Sequence, residues 1–362
     1  MSRRPRKSKG KGRRAAGLSP MRRLIIILGS AAATLAVVLA LVLAWGLWSY
    51  QGPGPATDGG AARVVMLRKG AGLTEIASTL ERDGAIRSKA MFAAAAQITG
   101  AAKSLKAGEY EFKSRASMAS ILRDIREGKI VVHQVTIPEG MTSEAAVELL
   151  MARPDLTGAV AAPPEGSILP ETYQYERGED RAAVLRRMMD ARDELLLLLW
   201  TQRQPGLPIT TPQEAVTLAS VVEKETGIAS ERPQVAAVFV NRLRAGMRLE
   251  SDPTIIYGLT GGKPLGRGLR ASELAAPNPY NTYQIDRLPP TPIANPGRAA
   301  LAAVLDPPKS DALFFVADGT GGHVFAPTYD EHLKNVAKWR AVEREREAKA
   351  LQDKAGDLKA GR

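Results

Sequence analysis

The sequence predicts an α+β protein carried on one N-terminal transmembrane helix. Three observations lead there. Leu24 to Trp48 runs for 25 residues without a charge; beyond residue 62, short stretches of strand and helix periodicity alternate between Gly and Pro breaks; and the 362 residues include no cysteine. A chain of this length holds two folded domains, and without disulfides each must rest on its own apolar core.

Residues 1–23 form a basic arm with ten Lys and Arg and no acidic residue. The formal charge of +12 therefore sits almost wholly in that arm, and the body is close to neutral, which argues against a nucleic-acid partner. The run 24–48 is long enough to cross a bilayer core of roughly 30 Å. It exceeds the about 7–15 apolar residues of a cleavable signal, and Trp45, Trp48 and Tyr50 fall where an interfacial aromatic belt belongs. Basic residues stay on the cytoplasmic side, so a single pass of the cytoplasmic (inner) membrane is expected, with everything after residue 50 exported. Residues 49–62, rich in Gly and Pro, read as a spacer.

A first folded unit is expected over 63–137. Arg63 to Leu67 suits a strand, Lys69 to Gly72 a turn, and Leu73, Ile76, Ala77 and Leu80 one face of a helix. A second helix follows through Met91, Phe92, Ala95 and Ile98. Gly108 to Phe112 alternates as a strand, Met118 to Arg126 is helical, and Ile130 to Ile137 closes the unit as a strand. With Leu67-Arg68-Lys69-Gly70 and Thr74-Glu75-Ile76-Ala77, this unit resembles the LysM-like domain of certain cell-wall enzymes. It is read as a glycan binder or a spacer.

The larger second domain, 138–340, carries helical patterns to about Met151 and from Leu185 to Trp200. Its most informative segment is 211–227. Thr211 with Glu214 makes a capping box, Pro212 suits the first helical position, and Gly227 can supply a left-handed stop. Winding it at 3.6 residues per turn puts Gln213, Thr217, Ser220 and Lys224 on a polar stripe facing water or a groove. Glu223 lies off that stripe, beside Val216 and Ala219. Burial there raises a carboxyl pKa, as a general acid near neutral pH requires; pairing with a basic residue from elsewhere in the fold is the alternative. Residues 341–362 read as a charged, solvated helical tail.

Polar and aromatic blocks follow at Ser251-Asp252-Pro253-Thr254, Tyr257-Gly258, Asn278-Pro279-Tyr280-Asn281-Thr282-Tyr283 and Gly321-Gly322-His323. Together with Ala219-Ser220-Val221-Val222-Glu223-Lys224-Glu225-Thr226 and in this order, they resemble the MltG/YceG family of membrane-anchored endolytic murein transglycosylases, over about residues 63–340. The resemblance implies lytic cleavage of the β-1,4 bond between N-acetylmuramic acid and N-acetylglucosamine in peptidoglycan glycan strands, giving 1,6-anhydro ends. It implies Glu223 as the catalytic residue and suggests peptidoglycan synthases as protein partners.

Flat aromatic faces beside amide and hydroxyl groups suit a sugar groove, so Tyr257, Asn278, Tyr280, Asn281, Thr282, Tyr283 and His323 are the candidate substrate contacts. Glycosidases that use water need two carboxylates about 5–9.5 Å apart. Glu225, two helical positions from Glu223, is rotated by roughly 200° away from it. Glu231, Asp252 and Asp318 keep a hydrolase open, and a non-catalytic glycan-binding scaffold is the rival from another class. His133, His323 and His332 are widely spaced and no motif implies a metal or cofactor.

Overall fold

The computed structural model describes residues 20–360, with side chains for 21–348. Residues 1–19 of the basic arm and 361–362 of the tail lie outside the described residues. The chain divides into two compact units between Val131 and Val132.

The first unit begins with helix α1, Pro20–Gln51, whose side chains from Met21 to Leu43 are all exposed. The helix is apolar and long enough to cross a membrane. Strands β1 (Arg63–Leu67) and β2 (Gly108–Phe112) pair antiparallel, Arg63 opposite Phe112 and Leu67 opposite Gly108. Helices α2 (Leu73–Arg82), α3 (Lys89–Ile98) and α4 (Met118–Glu127) complete the unit. Ser88 and Ser117 cap the last two through their side chains. Leu67, Leu80, Phe92, Tyr110, Ile121 and Ile125 form its core. Ile98 stands 85% exposed, not on the packed face: α3 turns Phe92 and Ala96 inward and ends there.

The second unit opens with β3 (His133–Thr136), which pairs antiparallel with β4 (Thr172–Tyr175). The strand read as closing the first unit therefore opens the second, because its hydrogen-bond partner lies downstream. Between these strands runs α5 (Ser143–Met151), and after them come α6 (Arg181–Thr201), α7 (Pro212–Glu225) and α8 (Arg232–Arg244). Then follow α9 (Asp252–Thr260), the short α10 (Ala271–Ala275), α11 (Arg298–Leu305), the hairpin β5 (Phe314–Ala317) to β6 (His323–Ala326), and α12 (Tyr329–Ala360).

Helix α7 is the centre of this unit. All nine residues from Ala215 to Glu223 are buried, with α8 and α11 packed on it and Val216, Leu218, Val222, Phe239, Leu301 and Val304 in one core. The capping box forms as the sequence implies, Thr211 accepting from Glu214 N and Glu214 reaching back to Thr211 N. One local expectation fails and another holds only in part. The helix ends at Thr226 in an extended conformation (φ −133°, ψ 131°) without a left-handed Gly227, because Thr226 Oγ1 takes over the turn, accepting from Ile228 N and donating to Glu231. Of the expected polar stripe, Gln213 and Lys224 at its ends are exposed and Lys224 lines a cavity, but Thr217 and Ser220 between them do not face water. The Pro-rich segment 289–296 meets Ser220, where Ile293 N donates to Ser220 Oγ at 3.0 Å.

Candidate active site

Glu223 occupies the last turn of α7 with its side chain 3% exposed. Each carboxyl oxygen has a donor. Arg232 Nη2 donates to Oε1 at 2.7 Å, and Gly297 N donates to Oε2 at 2.9 Å. Both partners follow from the fold: the turn 226–231 brings the first residue of α8 back against α7, and Gly297 is the N-cap of α11, whose free N–H groups favour a negative charge. Burial and pairing pull in opposite directions. Burial is the largest influence and raises the Glu223 pKa; Gly297 N–H and Arg232 oppose it, Glu139 adds to it, and Lys224 again lowers it. The net displacement is upward. The apolar-surroundings reading and the basic-partner reading both hold for this one side chain.

A short arch built on Glu139 and Gly140 lies over Glu223. Arg232 Nη2 also forms an ion pair with Glu139, 2.8 Å from its Oε2, and Glu139 is 40% exposed. Gly140 has φ +74°, and a Cβ there would stand 3.5 Å from Glu223 Cγ. At Gly297 a Cβ would run into the Glu139 carboxylate, so Gly297 permits close approach, whereas Gly140 is favoured by its left-handed backbone. Asn295 fastens the arch: its backbone N donates to Met141 O at 2.9 Å, its O accepts from Gly140 N at 3.0 Å, and its buried amide donates to Met141 O and to Ser143 Oγ.

The Asn295 amide also approaches Glu165 Oε1 at 3.3 Å. Glu165 accepts from Ser143 N at 2.8 Å and from the Tyr257 hydroxyl at 3.3 Å, and burial raises its pKa against those bonds. Tyr257 is half-buried, packs on Tyr280 with ring centroids 5.0 Å apart, and lines a cavity of about 300 Å³. Lys224, Pro253, Ile256, Lys263, Leu265 and Ile293 complete its wall. A cavity of about 410 Å³ beside Asn241 and Arg244 is larger, and no carboxyl group lines either cavity. The Tyr257 cavity meets the acidic network through Tyr257, which bonds Glu165, and through Lys224, which follows Glu223 on α7.

The sequence-derived residues separate into groups. Tyr280 stays half-exposed, its hydroxyl 2.8 Å from Thr291 Oγ1. Tyr283 donates to Asp252 at 2.8 Å. Asn278 accepts from Tyr280 N at 2.8 Å and packs against Gly258. Asn281 and Thr282 are wholly buried. The Asn281 amide donates to Leu274 O and Ala276 O, and Thr282 Oγ1 accepts from Ser251 N at 2.9 Å, which ties this loop to α9.

His323 stands apart, its Nδ1 2.8 Å from Glu231. Burial pushes the Glu231 pKa up, but the bonds from the His323 ring and backbone N–H outweigh it and hold the carboxyl below its usual range. Glu225 points to this side of α7, where Ser251 Oγ donates to it at 2.8 Å and burial pushes its pKa to about 7. Glu223 and Glu225 therefore do not share a site. Sequence reasoning singled out neither Glu139, Glu165, Arg232 nor Asn295. Their signal is tertiary: Asn295 reaches Ser143 across 152 positions.

Residues 65–338 match the sequence profile of the YceG-like family. The chain belongs to the YceG-like family. Among relatives, the endolytic murein transglycosylase of Streptococcus pneumoniae is 29% identical over 357 residues, covering 83% of this chain. The chain spans 64% of that protein's length. The endolytic murein transglycosylase of Bacillus subtilis is 27% identical over 314 residues, covering 78% of this chain and 86% of the relative. A crystal structure of a yceG-like protein from Listeria monocytogenes is 28% identical, covers 76% of this chain and 99% of its own, and superposes with a TM-score of 0.46. The YceG-like match begins inside β1 and takes in both units after the apolar helix.

Proposed function

We propose that this YceG-like protein is a lytic transglycosylase that cuts peptidoglycan glycan strands internally, with Glu223 as its single acid and base. The observation carrying the proposal is the buried Glu223 carboxyl, raised in pKa yet held by two donors, on the helix that borders the Tyr257 cavity. Relatives named endolytic murein transglycosylase support the substrate class.

In this reading Glu223, protonated, gives its proton to the glycosidic oxygen as the bond from C1 of N-acetylmuramic acid to that oxygen breaks. The resulting carboxylate takes the proton of the muramic C6 hydroxyl, whose oxygen closes on C1 as a 1,6-anhydro ring. Water is not consumed, and one carboxyl serves both steps in sequence. Arg232 and Gly297 N–H stabilise the carboxylate between them. Tyr257 and Tyr280 give sugar rings an aromatic wall; Asn278 and Tyr283 flank it, and Asn281 and Thr282 hold the loop that presents it. His323 orders the β5–β6 turn through Glu231.

Helix α1 anchors the enzyme in the cytoplasmic membrane with the basic arm inside and the second unit on the outer face. The first unit serves as the LysM-like spacer or glycan grip, and peptidoglycan synthases are its expected neighbours. Glu223→Gln keeps the size of the side chain and removes its titration, leaving one acceptor oxygen for the two donors. Isolated sacculi treated with this variant should yield no 1,6-anhydromuramyl ends by mass spectrometry while the wild type yields them. Retained ends in the variant would overturn the assignment of Glu223. Reducing ends from the wild type would point to a muramidase, and no products at all to a scaffold.

A further inference from the structure

Arg232 serves two carboxylates with one nitrogen. Its Nη2 lies 2.7 Å from Glu223 Oε1 and 2.8 Å from Glu139 Oε2. The neighbouring Nε is buried and finds no hydrogen-bond partner among the described residues. A guanidinium grips a carboxylate best through two parallel N–H groups, and the Nε–Nη2 edge is one such fork. Here that fork is half used: Nη2 bonds Glu223 and forms an ion pair with Glu139, while Nε bonds neither. The guanidinium is poised between two pairings, and completing the fork on one carboxylate weakens its hold on the other.

We propose that Arg232 is a positioning residue that shifts its grip between Glu139 and Glu223 during the reaction, with Glu139 as the parking site for its charge. This rests on Glu223 being the acid and base proposed above. The groups facing Glu223 from the surrounding elements are Arg232 at the start of α8, Glu139 on the arch, Lys224 on α7 and Gly297 N–H at the start of α11.

When Glu223 is protonated it holds no charge for Arg232, whereas Glu139, 40% exposed, stands 2.8 Å away as the second acceptor. Once the proton has passed to the glycosidic oxygen, Glu223 carries a negative charge in a buried place and draws the guanidinium back. When the C6 hydroxyl proton arrives, Arg232 returns to Glu139. No proton leaves or joins the Arg232–Glu139 pair, so the cycle balances with the single proton that Glu223 gives and regains.

The test is the pH–rate profile of 1,6-anhydro end formation by the full chain in detergent micelles, for wild type, Glu139→Gln and Arg232→Gln. The alkaline limb of such a profile reports the loss of the essential acid's proton. In Glu139→Gln, Arg232 has Glu223 alone, and the limb should move toward acid by about one pH unit, the scale of a nearby charge. In Arg232→Gln the limb should move the opposite way by a similar amount, with a lower maximal rate. Limbs that superimpose on wild type, whatever the rate loss, or that move in the same direction would overturn the proposal.

If a variant is too slow to profile, the carbon-13 titration of the Glu223 carboxyl, assigned by its absence in Glu223→Gln, should show the same opposed shifts. Unshifted titrations would overturn the proposal equally. Failure of the underlying reading looks different. An active Glu223→Gln removes the acid and base itself, whereas an inactive Glu223→Gln beside an unmoved Glu139→Gln profile removes only the role given to Arg232.

Discussion

Glu223 accepts one hydrogen bond on each oxygen and is almost sealed from water, so its proton affinity is set by a contest between burial and two fixed donors. Half of that contest was legible in the sequence. Helical spacing placed the carboxyl among Val216 and Ala219, but the Arg232 contact depends on how tightly the 226–231 turn folds α8 back. Asn281 shows the converse. Its position among aromatic residues suggested a ligand contact, but it is fully buried, and its amide satisfies backbone carbonyls while its Oδ1 accepts from Tyr283 N. Buried polar groups left without a partner cost about 1–3 kcal/mol each. Asn281→Ala should therefore lower stability by about 2 kcal/mol or more, seen as a lower melting temperature, and raise KM more than it lowers kcat as Tyr280 and Tyr283 lose their placement. An unchanged melting temperature would contradict this account of the loop.

The start of α7 was fully legible because a capping box is a local arrangement, settled within four residues. Its surroundings were not. A polar stripe at helical spacing normally marks the wet face, but Ser220 and Thr217 are buried; Ser220 Oγ accepts from Ile293 N, 73 positions downstream, and both hydroxyls donate to carbonyls within α7. The two faces of this helix carry two acidic groups with separate fates, Glu223 toward Arg232 and Glu225 toward Ser251. Glu225 ionises at about 7 in the fold against 4.5 for an ordinary Glu, so the folded chain binds that proton more tightly than the unfolded one. Its contribution to stability is complete below about pH 4.5 and is lost as pH rises through about 7. Melting temperature should fall between pH 5 and pH 8, and Glu225→Gln should reduce that fall. A melting temperature that responds to pH identically in the variant would rule out this role for Glu225.

Across the whole molecule, the sequence marked out the apolar helix, the first unit up to β2 and α4, and the family likeness of the region after the span. The division between the units lies at Val131 and Val132, not at 137 and 138, because β3 finds its partner β4 beyond α5. No local signal in 130–137 distinguishes a strand that closes one unit from a strand that opens the next. What joins these scales is the claim that one buried carboxyl, on the central helix of the second unit, cuts glycan strands without water. Digestion of purified glycan strands by the full chain in water enriched in oxygen-18 tests it most directly. The account predicts new 1,6-anhydro ends that carry no label and that do not form with Glu223→Gln; new reducing ends that carry oxygen-18, or unlabelled anhydro ends still produced by the variant, would contradict it.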